Sequence, residues 1–163
     1  MIGVTVMIKR LVAQLDRAVP APAAHAHCDG PCGVYDPASA RIAAEAVLSM
    51  TKKLLALEVP DASDKAAYVK YHNTFARYVA IKEEQAHMAK SELLVLWTDY
   101  FKPHHLEAHP ELHNIFWMAA KECSYAKVEL SLHHAEKLME HIEKIHNIFW
   151  ATKGRDVAYY TAS

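Results

Sequence analysis

The positions of the helix-breaking residues constrain this chain more than any other feature. Only four glycines occur in 163 residues, and the seven prolines lie at positions 20, 22, 31, 37, 60, 103 and 110. The stretches 38–59, 61–102 and 111–163 therefore contain no proline, and none of them contains glycine before Gly154. Because glycine and proline are the strongest interrupters of regular structure, this spacing predicts long helices.

Apolar residues recur every three or four positions within these stretches. The first series is Ala43, Ala46, Val47, Met50, Leu54 and Leu57, and similar series run through 68–101 and 112–149. This is the period of a helix with one buried face. Four such helices with short connections predict an all-α fold, an antiparallel up-down four-helix bundle over residues 38–152, followed by a C-terminal tail at 153–163.

Several helix ends have chemical support. Asp36 precedes Pro37 at a predicted helix start, Asp61 and Asp64 offer caps for the second helix, and Gly154 is placed to end the last one. Pro103 and Pro110 predict a loop between them. The second helix, 65–101, would span about 55 Å if unbroken, so we expect it to kink or break.

The composition excludes several classes of function. Lysine and arginine number 18 against 19 for aspartate and glutamate, so binding to nucleic acid or a membrane surface through net charge is not expected. No glycine-rich phosphate loop occurs, and no apolar run approaches the length of a membrane span. Three cysteines are too few for a disulfide framework, which favours a reducing, cytoplasmic location.

The first 26 residues differ from the rest of the chain. They carry Lys9, Arg10 and Arg17 and end in a segment rich in proline and alanine. Ala24-His25-Ala26 imitates a signal-peptidase site, but the uncharged run before Lys9 is too short for a secretory signal. We interpret residues 1–26 as a short amphipathic propeptide that is removed on maturation; the alternative is a frayed terminus without function.

The histidines and Cys123 do not by themselves indicate a metal site. Twelve histidines occur, but a di-iron bundle needs two facing Glu-x-x-His pairs, and Glu143 with His146 is a single match. We interpret most of these side chains as solvated or interface imidazoles. Cys123 falls in the apolar stripe of its helix, where a thiol usually packs as a small hydrophobic group.

The segment 27–37, His-Cys-Asp-Gly-Pro-Cys-Gly-Val-Tyr-Asp-Pro, carries the chemistry. Cys-x-x-x-Cys is neither a usual redox pair nor a complete zinc site. If the chain is cut before His27, however, its amine nitrogen, the amide nitrogen and thiolate of Cys28 and the thiolate of Cys32 can form a square plane. That geometry suits nickel(II) or copper(II), and the His27 imidazole is available as an axial ligand.

This segment resembles the N-terminal nickel hook of nickel-containing superoxide dismutases. The resemblance continues in Ala38, Ala40, Arg41 and Ile42, and then in Leu96-Trp97-x-Asp99-Tyr100-Phe101-Lys102-Pro103, Pro110-Glu111-Leu112-His113 and Lys144-Ile145-x-x-Ile148-Phe149-Trp150. It covers most of residues 27–150. As an eleven-residue pattern the hook is far more specific than its two cysteines.

The resemblance implies an antioxidant enzyme that disproportionates superoxide while nickel cycles between the +2 and +3 states. It implies one nickel ion per subunit bound by His27, Cys28 and Cys32, a homohexamer, and a maturation protease that cuts between Ala26 and His27. Tyr35 matches the family tyrosine that closes the substrate pocket, and Tyr100 matches a second one nearby. Lys102 is a candidate for attracting the superoxide anion.

Two departures from the Streptomyces-type pattern affect these expectations. That pattern places a glutamate and an arginine behind the axial histidine, and the matching positions here are Ala43 and Gln85. Glu45 lies two residues further on a different helical face, so we do not assign it as the substitute. The region 58–70 is also about a dozen residues longer than in that pattern, which predicts an extended first helical hairpin.

Two other classes of protein fit parts of the same evidence. A helical carrier would hold nickel or copper in the hook without turnover, although Tyr35 and an axial His27 favour the enzyme. An interaction bundle would pair Cys28 with Cys32 in a disulfide. Measurement of turnover separates the enzyme from the carrier, and thiol titration after mild reduction separates both from the disulfide.

Overall fold

The chain is all-helical where the structure, a computed structural model, describes it, at residues 33–162. The α-helices are α1 (Ala38–Leu55), α2 (Lys65–Val95), α3 (Pro103–Ala108), α4 (Leu112–Val128) and α5 (Leu132–Thr152), and a π-helical turn, Leu96–Tyr100, continues α2. No strand occurs in this part of the chain. The predicted all-α class is confirmed.

Four of these helices form a bundle in which each long helix packs against two neighbours. Helix α1 contacts α2 and α5, and α4 contacts the same two helices on the opposite side. The connection between α4 and α5 is only residues 129–131, which makes these two helices antiparallel neighbours. The four-helix bundle is therefore as predicted, and α3 lies in the connection between α2 and α4.

The core combines large side chains from three helices with small ones from α1 and α2. Phe116, Phe149 and Ile142 are fully buried, and burial of each such side chain contributes about 1.5–3 kcal/mol. Ala40, Ala44 and Ala89 are also fully buried. Because alanine has no side chain beyond Cβ, α1 approaches its neighbours closely.

Helix α2 extends well past the end of α1. Its buried residues, Lys82, Ala86, Ala89 and Leu93, all lie in its C-terminal half. The N-terminal half has no buried residue and runs beside the connection from α1, where Leu57, Pro60 and Tyr71 line a shared groove. The longer 58–70 region therefore extends the first hairpin, as expected from the sequence.

The helix ends agree with the sequence in three places and differ in one. The Asp36 carboxylate accepts the N–H of Ala38 at 2.8 Å, and the Asp64 carboxylate accepts the N–H of Ala67 at 3.0 Å. Gly154 ends α5 with φ of 65°, a conformation that favours glycine.

The predicted loop between Pro103 and Pro110 is wrong, because Pro103–Ala108 forms helix α3. Proline is preorganised for the first helical position. The imidazole Nδ1 of His105 also accepts the backbone N–H of Lys102 at 3.1 Å, which closes the first turn. A cap supplied by histidine is not recognisable in the sequence.

The second helix does not break: α2 continues directly into the π-helical turn at Leu96–Tyr100. The N–H of Phe101 donates to the carbonyl of Leu96 at 3.2 Å, a bond that spans five residues instead of four. Such a turn accommodates one extra residue and changes the direction of the side chains after it. It therefore determines where Tyr100 lies relative to α5.

The C-terminal segment packs back on the bundle. The imidazole Nε2 of His146 lies 2.7 Å from the carbonyl of Val157, and the N–H of Ala162 donates to Glu45 at 2.6 Å. The Tyr160 ring lies 4.3 Å from the guanidinium carbon of Arg41. These contacts tie the chain after α5 to α1. No described helix is long and apolar enough to cross a membrane.

Lys82 caps the C-terminal end of α4, a helix that is distant from it in the sequence. Its ammonium group is buried and donates to the carbonyls of Ala126, Lys127 and Glu129 at 2.5, 2.9 and 3.2 Å. Burial lowers the pKa of Lys82, and Glu83 opposes that shift. The last carbonyls of a helix have no partner within the helix, so Lys82 satisfies the C-terminal end of α4.

We predict that Lys82→Met lowers the free energy of unfolding by about 2 kcal/mol, because buried carbonyls lose their donor. Urea unfolding followed by circular dichroism measures the change. Lys127→Met is the matched control: the Lys127 side chain is exposed and lies 3.8 Å from Glu83 in an ion pair, so its loss costs less than about 0.5 kcal/mol. Equal effects of the two substitutions would contradict the capping role.

Candidate active site

The predicted metal ligands His27, Cys28 and Cys32 lie outside the described residues. The structure describes the chain from Gly33, which follows Cys32 directly and has φ of 65°. This is the left-handed region that favours glycine. Four residues later Pro37 leads into α1, so the predicted hook is attached to the first turn of this helix.

Tyr35 and Tyr100, the two predicted site tyrosines, meet in the structure. Their ring centroids are 5.5 Å apart and the ring planes are inclined by 55°. Tyr35 precedes α1, Tyr100 ends the π-helical turn, and both pack against the main core cluster. The fold thus brings Tyr100 into contact with Tyr35, which lies only three residues after Cys32 in the sequence.

Tyr100 is enclosed by aromatic rings and a cation. The Phe149 ring centroid lies 4.5 Å from its own, and the His105 ring stacks on it at 5.6 Å with planes 14° apart. The ammonium group of Lys153 lies 5.0 Å from the centroid of the Tyr100 ring. Such aromatic and cation–π contacts hold a ring in one orientation.

The hydroxyl of Tyr100 is hydrogen bonded to Thr152. The two oxygens lie 2.6 Å apart, and the Thr152 hydroxyl donates in turn to the carbonyl of Phe149 at 2.6 Å. Sequence reasoning missed Thr152, His105 and Lys153 as neighbours of the site. Local sequence contains no signal for them, because they reach Tyr100 only through the packing of α3 and α5.

Lys102, the candidate for attracting an anion, lies next to this cluster. Its ammonium group donates to the carbonyl of Asp99 at 2.7 Å and its side chain remains exposed. The contact holds the positive charge at the end of the π-helical turn, beside Tyr100. The proposed attraction of substrate stays a prediction.

The positions that depart from the Streptomyces-type pattern have clear places in the fold. Ala43 is buried in the core, and Gln85 is half-buried on α2. Glu45 is buried, forms an ion pair with Arg41 at 3.2 Å and accepts the N–H of Ala162 at 2.6 Å. Its carboxylate therefore contacts both α1 and the C-terminal segment.

Several of the described histidines bind other protein groups. His113 accepts the indole N–H of Trp97 at 2.8 Å, and the Nδ1 atom of His134 lies 2.7 Å from Glu122. Between residues 33 and 162 no group of three histidine, cysteine or acidic side chains is arranged to hold a metal ion.

Cys123 is buried in the core cluster, as predicted from its place in the apolar stripe. Burial raises the pKa of its thiol to about 12, which outweighs the opposing effect of Lys90. The thiol is therefore protonated at neutral pH and is a poor metal ligand, since metals bind the thiolate.

We predict that a chain starting at His27 has two reactive thiols when native and three when unfolded. Cys123 is the slow one, because it is buried and protonated. Titration with a chromogenic disulfide reagent at neutral pH, with and without denaturant, measures both numbers. Cys123→Ala is the matched control and leaves the native count unchanged. A native count of three would contradict the burial, and a count of zero that rises only after reduction would indicate a Cys28–Cys32 disulfide.

Folding disfavours the protonated form of His105. Burial lowers the pKa of its imidazole below the usual value, and His104, His109 and Lys102 add to the shift in that order. The acceptor role of Nδ1 toward Lys102 agrees with a neutral ring. Because the unfolded chain binds this proton more readily, the contribution of His105 to stability is complete above the unfolded pKa of about 6.5 and is lost as the pH falls below it.

We predict that His105→Asn reduces the loss of stability between pH 7 and pH 5, because asparagine keeps an acceptor for Lys102 and does not titrate. Chemical unfolding at several pH values measures the effect. His87→Asn is the control, since the His87 side chain is exposed on α2 and lies outside this turn. An unchanged pH dependence in His105→Asn would contradict the assignment.

The region that matches known proteins includes both the candidate site and the helical bundle. The family model described as nickel-containing superoxide dismutase matches residues 22–153, which include the hook and all five helices. Superoxide dismutase [Ni] of Streptomyces seoulensis is 44% identical over 78% of this chain and 88% of its own length. The Streptomyces coelicolor protein of the same name is 40% identical over 90% of this chain and 98% of its own length.

The fold is shared with solved structures. One is a nickel-containing superoxide dismutase with nickel ligation corresponding to the oxidised state. It has 43% identity, a TM-score of 0.67 and coverage of 79% of this chain and 100% of that chain. The chain belongs to the nickel-containing superoxide dismutase family. The predictions of superoxide dismutase as the enzyme class and of nickel as the cofactor are confirmed at the level of this family.

Proposed function

We propose that this chain, once residues 1–26 are removed, converts two superoxide ions and two protons to dioxygen and hydrogen peroxide. The observation that carries the proposal is the contact between Tyr35, in the last part of the 27–37 segment, and Tyr100, with ring centroids 5.5 Å apart. A metal carrier has no need of paired phenols beside its ligands. A phenol hydroxyl donates a hydrogen bond to an oxyanion or accepts one from a protonated group, and the two rings exclude bulk water from a small site.

The donor set of the hook suits nickel. The amine and imidazole of His27, the amide nitrogen and thiolate of Cys28 and the thiolate of Cys32 would hold the metal through nitrogen and sulfur, a donor set that nickel(II) accepts. When bound, nickel supplies a one-electron couple between the +2 and +3 states. Cys123 does not compete as a ligand, because its thiol is protonated in the core.

The amine ligand requires a cut between Ala26 and His27, because an amide nitrogen replaces the amine in the uncut chain. A maturation protease that removes residues 1–26 is therefore part of the proposal. The family match begins at residue 22, a few positions before the proposed cut, which is compatible with a leader of variable sequence. The proposal also includes a cytoplasmic antioxidant role and assembly as a homohexamer, both by analogy with the family.

The attraction of superoxide has to be local. The leader carries three basic residues and one acidic residue, so its removal makes the remaining chain more acidic. Lys102 and Lys153 bring two positive charges to the surroundings of Tyr100. Because a cleft concentrates the field of nearby charges, these side chains raise the local concentration of an anion without help from net charge.

We predict that only the chain beginning at His27 has nickel-dependent dismutase activity. Both this chain and the full-length chain are incubated with nickel, and superoxide removal is measured by pulse radiolysis with metal content by mass spectrometry. Activity that tracks nickel in the cut chain alone supports the hook chemistry and the maturation step together. Cys28→Ser in the cut chain is the control and abolishes the activity.

Other outcomes of the same experiment would contradict parts of the proposal. Nickel bound without turnover in the cut chain would place the protein among metal carriers. Equal activity of the full-length chain would show that the free amine of His27 is not a ligand. Activity that follows copper rather than nickel would contradict the metal assignment.

A further inference from the structure

The hydrogen bond between Tyr100 and Thr152 has a defined direction. The Thr152 hydroxyl has a single proton, and it donates that proton to the carbonyl of Phe149 at 2.6 Å. A carbonyl has no proton to give back. The Thr152 oxygen therefore accepts in its 2.6 Å contact with Tyr100, and the Tyr100 hydroxyl is the donor.

This direction decides what Tyr100 offers to the rest of the site. A phenol hydroxyl donates one hydrogen bond and accepts others. With its proton directed at Thr152, Tyr100 presents only lone pairs to any further partner. It is then an acceptor for a group that carries a proton, and it does not compete with Tyr35 as a donor to an anion.

The aromatic neighbours alone do not set this direction. Phe149, His105 and Tyr35 contact the ring of Tyr100 and restrict its plane. Ring contacts do not determine where a hydroxyl proton points, because the hydroxyl rotates about its C–O bond. Among the contacts of Tyr100 in the described part of the chain, the hydrogen bond with Thr152 is the one that can fix the direction of the hydroxyl proton.

Thr152 is well placed for the task. It is the last residue of α5, and its hydroxyl binds a carbonyl three residues earlier in the same helix, one of those left without a helical partner. Its own orientation is therefore fixed before it binds Tyr100. The π-helical turn brings Tyr100 to this helix end, and Lys153, the next residue, places its ammonium group 5.0 Å from the ring.

We propose that Thr152 is the positioning residue for Tyr100: it holds the phenol as a hydrogen-bond donor into the protein and leaves its lone pairs to the reaction site. Thr152 acts through Tyr100 and need not contact the substrate. The consequence for turnover rests on the proposed function, whereas the direction of the hydrogen bond does not.

The direction is tested on the full-length chain without nickel, labelled with carbon-13 at the tyrosine Cζ atoms. The Cζ chemical shift of a tyrosine responds to the hydrogen bonds of its hydroxyl. Tyr100→Phe assigns the Tyr100 resonance by removing it. We expect Thr152→Val, which has the shape of threonine without the hydroxyl, to move this resonance, and Thr152→Ser to leave it near its original position. An unmoved resonance in Thr152→Val would overturn the proposal.

The consequence for turnover is tested on the nickel-loaded chain starting at His27. We expect Thr152→Val to lower kcat roughly tenfold, as for other small misplacements of a reacting group, and Thr152→Ser to recover most of it. In a Tyr100→Phe background, Thr152→Val should have no further effect, because there is no hydroxyl left to orient. An equal loss in that background would show a purely structural role and overturn the proposal.

The two experiments test the proposed function and the role of Thr152 independently of each other. If the unsubstituted nickel-loaded chain has no dismutase activity, the proposed function fails, while the Cζ shifts still decide whether Thr152 orients Tyr100. If activity is present and the Cζ resonance does not respond to Thr152→Val, the proposed function stands and the role of Thr152 is refuted.

Discussion

The close packing of α1 against its neighbours is the constraint on which the rest of the structure depends. Ala40 and Ala44 are fully buried, and a larger side chain at either position would push α1 outward. Tyr35 precedes this helix by a few residues and packs against the core, whereas Tyr100 is held by α5 through Phe149 and Thr152. The distance between the two tyrosines is therefore set by the core of the bundle, and the hook joins the fold at this point.

Much of the fold follows from the sequence because it depends on local patterns. The absence of glycine and proline from three long stretches, together with apolar residues every three or four positions, predicts the four bundle helices. Helix α3 and the π-helical turn at Leu96–Tyr100 do not follow in the same way. The first depends on a His105 side chain that accepts the N–H of Lys102, and the second on one five-residue hydrogen bond to Leu96. Both depend on side-chain or tertiary contacts, so neither can be predicted from the spacing of apolar residues or the positions of the prolines.

The candidate site also contains some residues that the sequence predicts and others that only the fold reveals. Tyr35 and Tyr100 are recognisable because they lie in motifs, and the structure brings them together. Thr152, His105 and Lys153 lie in no motif of this kind, and only the meeting of α3, α5 and the π-helical turn places them around Tyr100. The departures at Ala43 and Gln85 are visible in the sequence, but their consequence depends on the fold, where Glu45 is already engaged by Arg41 and the C-terminal segment.

Electron paramagnetic resonance of the oxidised, nickel-loaded chain tests most directly whether the free amine of His27 completes a nickel site before the start of α1. We predict a nickel(III) signal with nitrogen hyperfine splitting in the chain that begins at His27. Labelling of histidine with nitrogen-15 should change the splitting, and His27→Ala, which loses the imidazole and keeps a free amine, separates the contribution of the imidazole from that of the amine. A signal without nitrogen splitting, or the same signal from the full-length chain, would contradict the assignment of His27 as the residue that completes the site.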